Sequence, residues 1–197
     1  MLLALILIPF LAAVGILGGL PALLSAVIAS LANILVATYA LACPACSDGF
    51  SLQVLADPNI NLSLGITGIS AVMLILSVIV TLAAVYSGKC PEGREKLWYS
   101  SSLFIAAGAI GAFLSTDIFF FYAFHELALI PTFLMIGIMG RGDRKEAAWK
   151  ITIYLAFGSI ILLAGLLVAT AHTGSFAFSD LKEIPAAAQN TVALLLI

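Results

Sequence analysis

The chain has 197 residues, 63% of them hydrophobic and only 9% charged, with a formal net charge of −2. Soluble domains carry about 25% charged residues, so this composition excludes an ordinary soluble fold and indicates an integral membrane protein. The slightly negative balance gives no basis for nucleic-acid binding, and there is no dinucleotide fingerprint or P-loop to hold NADH or ATP.

The apolar runs are continuous rather than short and alternating, which favours spanning helices over a membrane β-barrel. The first run, MLLALILIPFLAAVGILGGL, lacks the positive n-region of a secretory signal peptide and is read as a retained first span. Six complete spans are predicted at 2–20, 21–42, 67–87, 97–116, 117–139 and 147–171. Gly18-Gly19-Leu20-Pro21 marks a tight turn between the first two spans. Asp117 suits the N-cap of the fifth. The segments between spans read as short loops, with no separate soluble domain. A seventh apolar run starts at Thr191 and stops at Ile197, far short of the ~20 residues a crossing needs, so the expectation is an N-terminal fragment of a longer chain.

The basic residues set the expected orientation. Lys89, Arg94 and Lys96 fall between spans three and four, and Arg141, Arg144, Lys145 and Lys150 between spans five and six or at the start of six. Only Lys182 falls on the other side, and the 44–66 loop carries Asp48 and Asp57 without a basic residue. The positive-inside rule then puts the basic side in the cytoplasm and the N-terminus outside.

Cys43 and Cys46 form C-P-A-C at the end of the second span, and Cys90 lies in another loop. The redox use of this motif needs a thioredoxin-like context that is absent, so the cysteines are read as incidental, with a local disulfide as the alternative in an oxidising compartment. No Cys/His cluster has metal-ligand spacing.

The candidate site is Glu126. It lies nine residues after Asp117, roughly 13 Å along the helix and so near the middle of a ~30 Å hydrocarbon core. Acidic groups at that depth are costly and normally face a protein interior or a wet cavity, where they carry ions or protons. An apolar interior favours the neutral carboxyl and a neighbouring cation favours the carboxylate, so a movable cationic partner would make such a group take up and release protons. The competing reading is a protonated structural carboxyl tying helices together. Tyr122 precedes Glu126 by one turn on the same face, within hydrogen-bonding reach. His125 lies 100° around the helix, as a relay or as a packed structural histidine. Lys150, near a helix end, is a weak candidate for a proton entrance. Pro131 frees the carbonyl of Leu127, either to hold a water beside Glu126 or to be satisfied by neighbouring groups.

The 116–140 stretch, TDIFFFYAFHELALIPTFLMIGIMG, resembles the fifth helix of the antiporter-like proton-pumping subunits of NADH:quinone oxidoreductase (respiratory complex I), in particular the subunit M type, subunit 4 in mitochondria. The following RGDRKEAAWKITIYLAFGSIILLAGLL resembles that family's basic loop and sixth helix, and NLSLGITGISAVMLILSVIV its third. The wider family includes Mrp-type cation/proton antiporter subunits. The resemblance implies an all-α membrane protein with two inverted repeats, each containing a broken helix. Here residues 1–96 would hold the first three helices, and 97–197 the start of the first antiporter-like repeat. It implies proton translocation coupled to electron transfer from NADH to quinone. Glu126 would be the family's essential glutamate, pairing with a lysine of the next helix. No cofactor is expected on this chain: NADH, FMN, iron–sulfur clusters and quinone would sit on partner subunits of the membrane-bound complex. Partners would be other membrane-arm subunits and the lipid bilayer, with the bacterial inner membrane as the location. Two departures are visible, since Thr67 stands where the family often has an acid and His125 where it usually has Trp or Phe.

Overall fold

A computed structural model describes residues 1–43, 49–55, 60–87, 90, 93–183 and 192–193. Among them are six α-helices: α1 (Leu2–Leu17), α2 (Ala22–Ala42), α3 (Gly68–Ser87), α4 (Glu95–Leu114), α5 (Ile118–Met139) and α6 (Arg144–Thr173). Each predicted span corresponds to one helix within a few residues. Five of the helices, α2 to α6, are long and apolar enough to cross a membrane, whereas α1 has only 16 residues. The expected first span to residue 20 is therefore too long. The chain leaves the helix at Gly18, and Gly19 takes φ +113°, a conformation L side chains rarely adopt. The expected seventh span is described only at Val192 and Ala193, which are helical; its remaining residues, like Cys46 and Lys89, lie outside the described set.

The segment between α2 and α3, expected to be a plain loop, contains an antiparallel hairpin of β1 (Phe50–Leu55) and β2 (Ile60–Leu64). The chain is thus not wholly α. The hairpin is joined to the bundle by backbone. Thr116 N–H donates to Ser63 O (2.9 Å) and Gly65 N–H to Leu114 O (2.8 Å). On the other side of the same α4–α5 turn, Ile118 N–H donates to Phe176 O (2.7 Å) and Phe178 N–H to Thr116 O (3.0 Å). The exposed polar groups of a helix-to-helix turn are thereby paired instead of being left at the membrane boundary. The short 3-10 helix Phe178–Glu183, which includes Lys182, follows at this end.

The opposite end is basic. Arg94, the N-cap residue of α4, and Arg144, the first residue of α6, both donate from their guanidinium groups to Ile138 O in the last turn of α5. Cations at a helix C-terminus complement its partial negative charge. The loops before α4 and after α5 therefore meet at one end of the bundle, as their shared basic character predicts.

Between the ends, α4 is the central helix, packing against α1, α3 and α5, while α6 packs on α5. Lipid gives helices little hydrophobic drive to associate, so close packing depends on small residues. Gly108 and Gly111 supply it. A Cβ at Gly108 would lie 2.8 Å from Phe124 O, and one at Gly111 would lie 2.5 Å from the Phe124 ring. These glycines let α5 approach α4 two residues before Glu126. The interior divides into two apolar clusters. Leu2, Leu5, Leu64, Leu74, Ile110 and Leu114 pack near the hairpin, and Ile16, Ala26, Val85, Tyr99 and Leu103 pack near the basic end.

Candidate functional site: a mid-membrane carboxyl between two helices

Asp117 starts α5. Its Oδ1 accepts from the N–H groups of Phe119 (2.9 Å) and Phe120 (3.2 Å), as its predicted N-cap role requires. From there α5 runs unbroken through Pro131 to Met139, so Glu126 is held on rigid helix in the middle of the span. The α5–α6 turn sets what faces it. Phe133 and Trp149 stack edge-on across the two helices with centroids 5.6 Å apart, and Gly137 faces Ala148. Following that antiparallel register away from the turn, Glu126 lies 14 residues before Gly140 and Ser159 lies 16 residues after Asp143, at roughly 21 and 24 Å of helix rise.

The two side chains meet. Ser159 Oγ hydrogen-bonds Glu126 Oε1 and lies 3.0 Å from the Tyr122 hydroxyl. Ser159 is 4% exposed while Tyr122 and Glu126 are half-buried, so these contacts are made at a partly buried seam between α5 and α6. Tyr122 and Glu126 are thus brought together as expected, with Ser159 linking them. Sequence reasoning missed Ser159. The available signal was a lone hydroxyl at matching depth on the neighbouring apolar helix.

His125 stacks on Tyr122, with ring centroids 6.5 Å apart and planes 30° from parallel. Its Nδ1 is buried and has no hydrogen-bond partner among the described residues. Lys150 is not brought to Glu126. Its Nζ pairs with Glu146 at 2.6 Å, an exposed (i, i+4) pair worth about 0.3–0.5 kcal/mol. On the side of Glu126 toward the basic end, a cleft of about 240 Å³ lies between α5 and α6, lined by Glu126, Thr132, Phe133, Thr152 and Leu155 among others. Near the hairpin, a more polar cleft of about 410 Å³ is lined by Asn61, Ser63, Thr67, Thr116, Asp117 and Ser175 among others. Chemically, the arrangement is one ionisable carboxyl at mid-depth, in contact with two hydroxyls and bordered by a cleft with threonines in its wall.

The fold defines a class, the helical membrane bundles, and an acidic side chain within a span of such a bundle is the kind of group that marks ion and proton paths in that class. Residues 115–197 match the family model described as NADH:quinone oxidoreductase/Mrp antiporter, transmembrane region. The chain is 35% identical over 130 residues to NAD(P)H-quinone oxidoreductase chain 4 2 of Microcystis aeruginosa, covering 64% of this chain and 23% of that protein. It is 35% identical over 136 residues to the chloroplastic NAD(P)H-quinone oxidoreductase chain 4 of Chara vulgaris, covering 68% and 28%. A chain of respiratory complex I from Thermus thermophilus superposes with a TM-score of 0.85 at 24% identity, covering 94% of this chain and 39% of that one. A chain of an archaeal membrane-bound sulfane sulfur reductase does so with a TM-score of 0.77 at 21% identity, which shows the shared fold. The chain spans about a quarter of the length of the curated relatives it matches. The family model covers residues 115–197, the curated relatives match over about two thirds of this chain, and the structural neighbours share its helical fold.

Proposed function

We propose that this chain serves in the membrane arm of an NADH:quinone oxidoreductase and takes part in proton translocation coupled to electron transfer from NADH to quinone. The observation that carries the reading is Glu126, a carboxyl in the middle of α5 hydrogen-bonded across to α6, within the segment that matches the antiporter-like family model. In mechanism, Glu126 alternates between carboxyl and carboxylate as a cation on a neighbouring helix approaches and withdraws. The neutral form is favoured in an apolar surrounding and the charged form beside the cation. NADH, FMN, iron–sulfur clusters and quinone would be held by partner subunits. The chain itself supplies the carboxyl, the hydroxyls around it and the rigid helices that fix them. Residues 1–96 would form the N-terminal helices and 97–197 the start of the first antiporter-like repeat. The N-terminus would face outward and the Arg94–Arg144 end the cytoplasm of a bacterial inner membrane, in line with the concentration of basic residues there.

The second reading is a Mrp-type cation/proton antiporter, favoured by the dual description of the matched family model. The relatives named chain 4 of NAD(P)H-quinone oxidoreductases favour the redox-linked reading. Inverted membrane vesicles separate the two. The first reading predicts NADH-driven interior acidification that disappears when this chain's gene is deleted. Acidification that persists, together with loss of sodium-driven proton exchange, would establish the antiporter instead.

A further inference from the structure

The contact between Glu126 and Ser159 comes from two different helices, and among the described residues the Ser159 hydroxyl pairs with Glu126 and Tyr122 alone. A serine in an apolar helix commonly returns its hydroxyl to the carbonyl four residues back, as Ser102 does to Trp98 O (2.9 Å) and Thr132 to Ala128 O (2.7 Å). Ser159 instead spends its hydroxyl on α5. A hydroxyl carries one proton and can accept two hydrogen bonds, so it can serve only one of its two neighbours as donor at a time. When Glu126 is a carboxylate, Ser159 donates to it and accepts from the Tyr122 hydroxyl. When Glu126 is protonated, the carboxyl donates to Ser159 Oγ, the Ser159 proton turns to the Tyr122 oxygen, and the Tyr122 proton turns to the Glu126 carboxyl, its other partner. Both protonation states are thus satisfied without moving a heavy atom, which matters because an unsatisfied polar group in hydrocarbon costs several kcal/mol.

We propose that Ser159 is the positioning residue for Glu126: a reversible hydroxyl, backed by Tyr122, that holds the carboxyl in one place in both of its protonation states. This rests on the reading of Glu126 as the proton-exchanging group. The geometry assigns the role to Ser159 rather than to His125, whose ring stacks on Tyr122 and whose Nδ1 has no partner among the described residues. It also separates Ser159 from the hydroxyls of Thr132 and Ser102, which are occupied by their own helices.

The test uses the assembled complex in membranes and pairs pumping with infrared difference spectroscopy. The carbonyl stretch of protonated Glu126 is identified as the band lost in Glu126→Gln. Ser159→Ala removes the hydroxyl that accepts from this carboxyl. The expected results are a shifted carbonyl band and roughly tenfold slower pumping, the scale of one hydrogen bond to a charged group. Ser159→Thr, which keeps the hydroxyl, restores both. Ser159→Cys, of similar size but a weak donor and acceptor, falls between them and guards against a packing effect of the alanine. An unmoved band in both Ser159→Ala and Ser159→Cys overturns the proposal, whether pumping is retained or lost. If Glu126→Gln itself pumps normally, the underlying reading of Glu126 fails rather than the assignment of Ser159.

Discussion

Ser159 of α6 and Glu126 of α5 hydrogen-bond to each other about halfway along their two helices. That contact depends on the register of the two helices, because a slip of one residue on α6 turns Ser159 by 100° away from α5. The register can be checked elsewhere on the same seam. A Cβ built at Gly137 lies 3.4 Å from Ala148 Cβ, at the short edge of the separation found in disulfides. The double variant Gly137→Cys/Ala148→Cys should cross-link under mild oxidation, while Gly137→Cys/Trp149→Cys should not. Mass spectrometry of the bridged peptide reads the outcome, and the reverse preference would displace Ser159 from Glu126.

The approach of α5 to α4 rests on two glycines. At Gly108 an added Cβ meets Phe124 O at 2.8 Å and Ala128 N at 3.1 Å, backbone atoms that cannot turn aside. At Gly111 it meets Cγ and Cδ1 of Phe124 at 2.5 Å, and rotation of the ring about its own axis leaves Cγ in place. Gly108→Ala and Gly111→Ala should therefore each destabilise by about 1–3 kcal/mol, the range for overpacking, whereas Gly158→Ala, with nothing within 4 Å of the added Cβ, should not. Thermal unfolding of the detergent-solubilised complex, followed by loss of this chain from it, separates the three.

Asp117 is 4% exposed, and its Oδ1 caps α5. Asp117→Ala leaves two backbone donors without that partner and should cost about 1 kcal/mol, in line with other N-cap losses. Asp117→Asn keeps an acceptor oxygen and should cost distinctly less. Equal losses in the two variants would assign Asp117 a role that depends on its charge.

At the basic end, burial and, secondarily, the charge of Glu95 push the Cys90 thiol above its ordinary range. The thiolate is the reactive form, so alkylation of Cys90 at pH 8 should run slower than that of an unhindered model thiol. Removing the negative charge with Glu95→Gln should move the alkylation profile toward lower pH. A profile unchanged by Glu95→Gln would contradict the electrostatic part of this account.

The helices were legible because the membrane imposes one coarse rule, and runs such as 117–139 obey it. The Asp117 cap and the tight turn at Gly18-Gly19 were legible as local chemistry. The hairpin was not, although Leu52, Val54, Leu62 and Leu64 stand at every second position, because a search for long apolar runs passes over period-2 segments of five or six residues. Glu126 stood out because an acid inside a span is rare. Ser159 did not, because one hydroxyl costs an apolar helix little and serine can satisfy itself on its own backbone. Only the pairing of α5 with α6 gives it meaning. Lys150 was legible as a cation near the right helix, but its position one turn after Glu146 gives it a nearer partner.

The central claim is that Glu126 exchanges the proton that is moved. The most direct measurement is NADH-driven acidification of inverted vesicles bearing Glu126→Gln in the assembled complex, with electron transfer to an artificial acceptor measured alongside. The account predicts normal assembly and acceptor reduction with acidification reduced at least tenfold, and substantial recovery in Glu126→Asp. Full acidification by a correctly assembled Glu126→Gln complex would contradict it and leave Glu126 as a carboxyl that only joins α5 to α6.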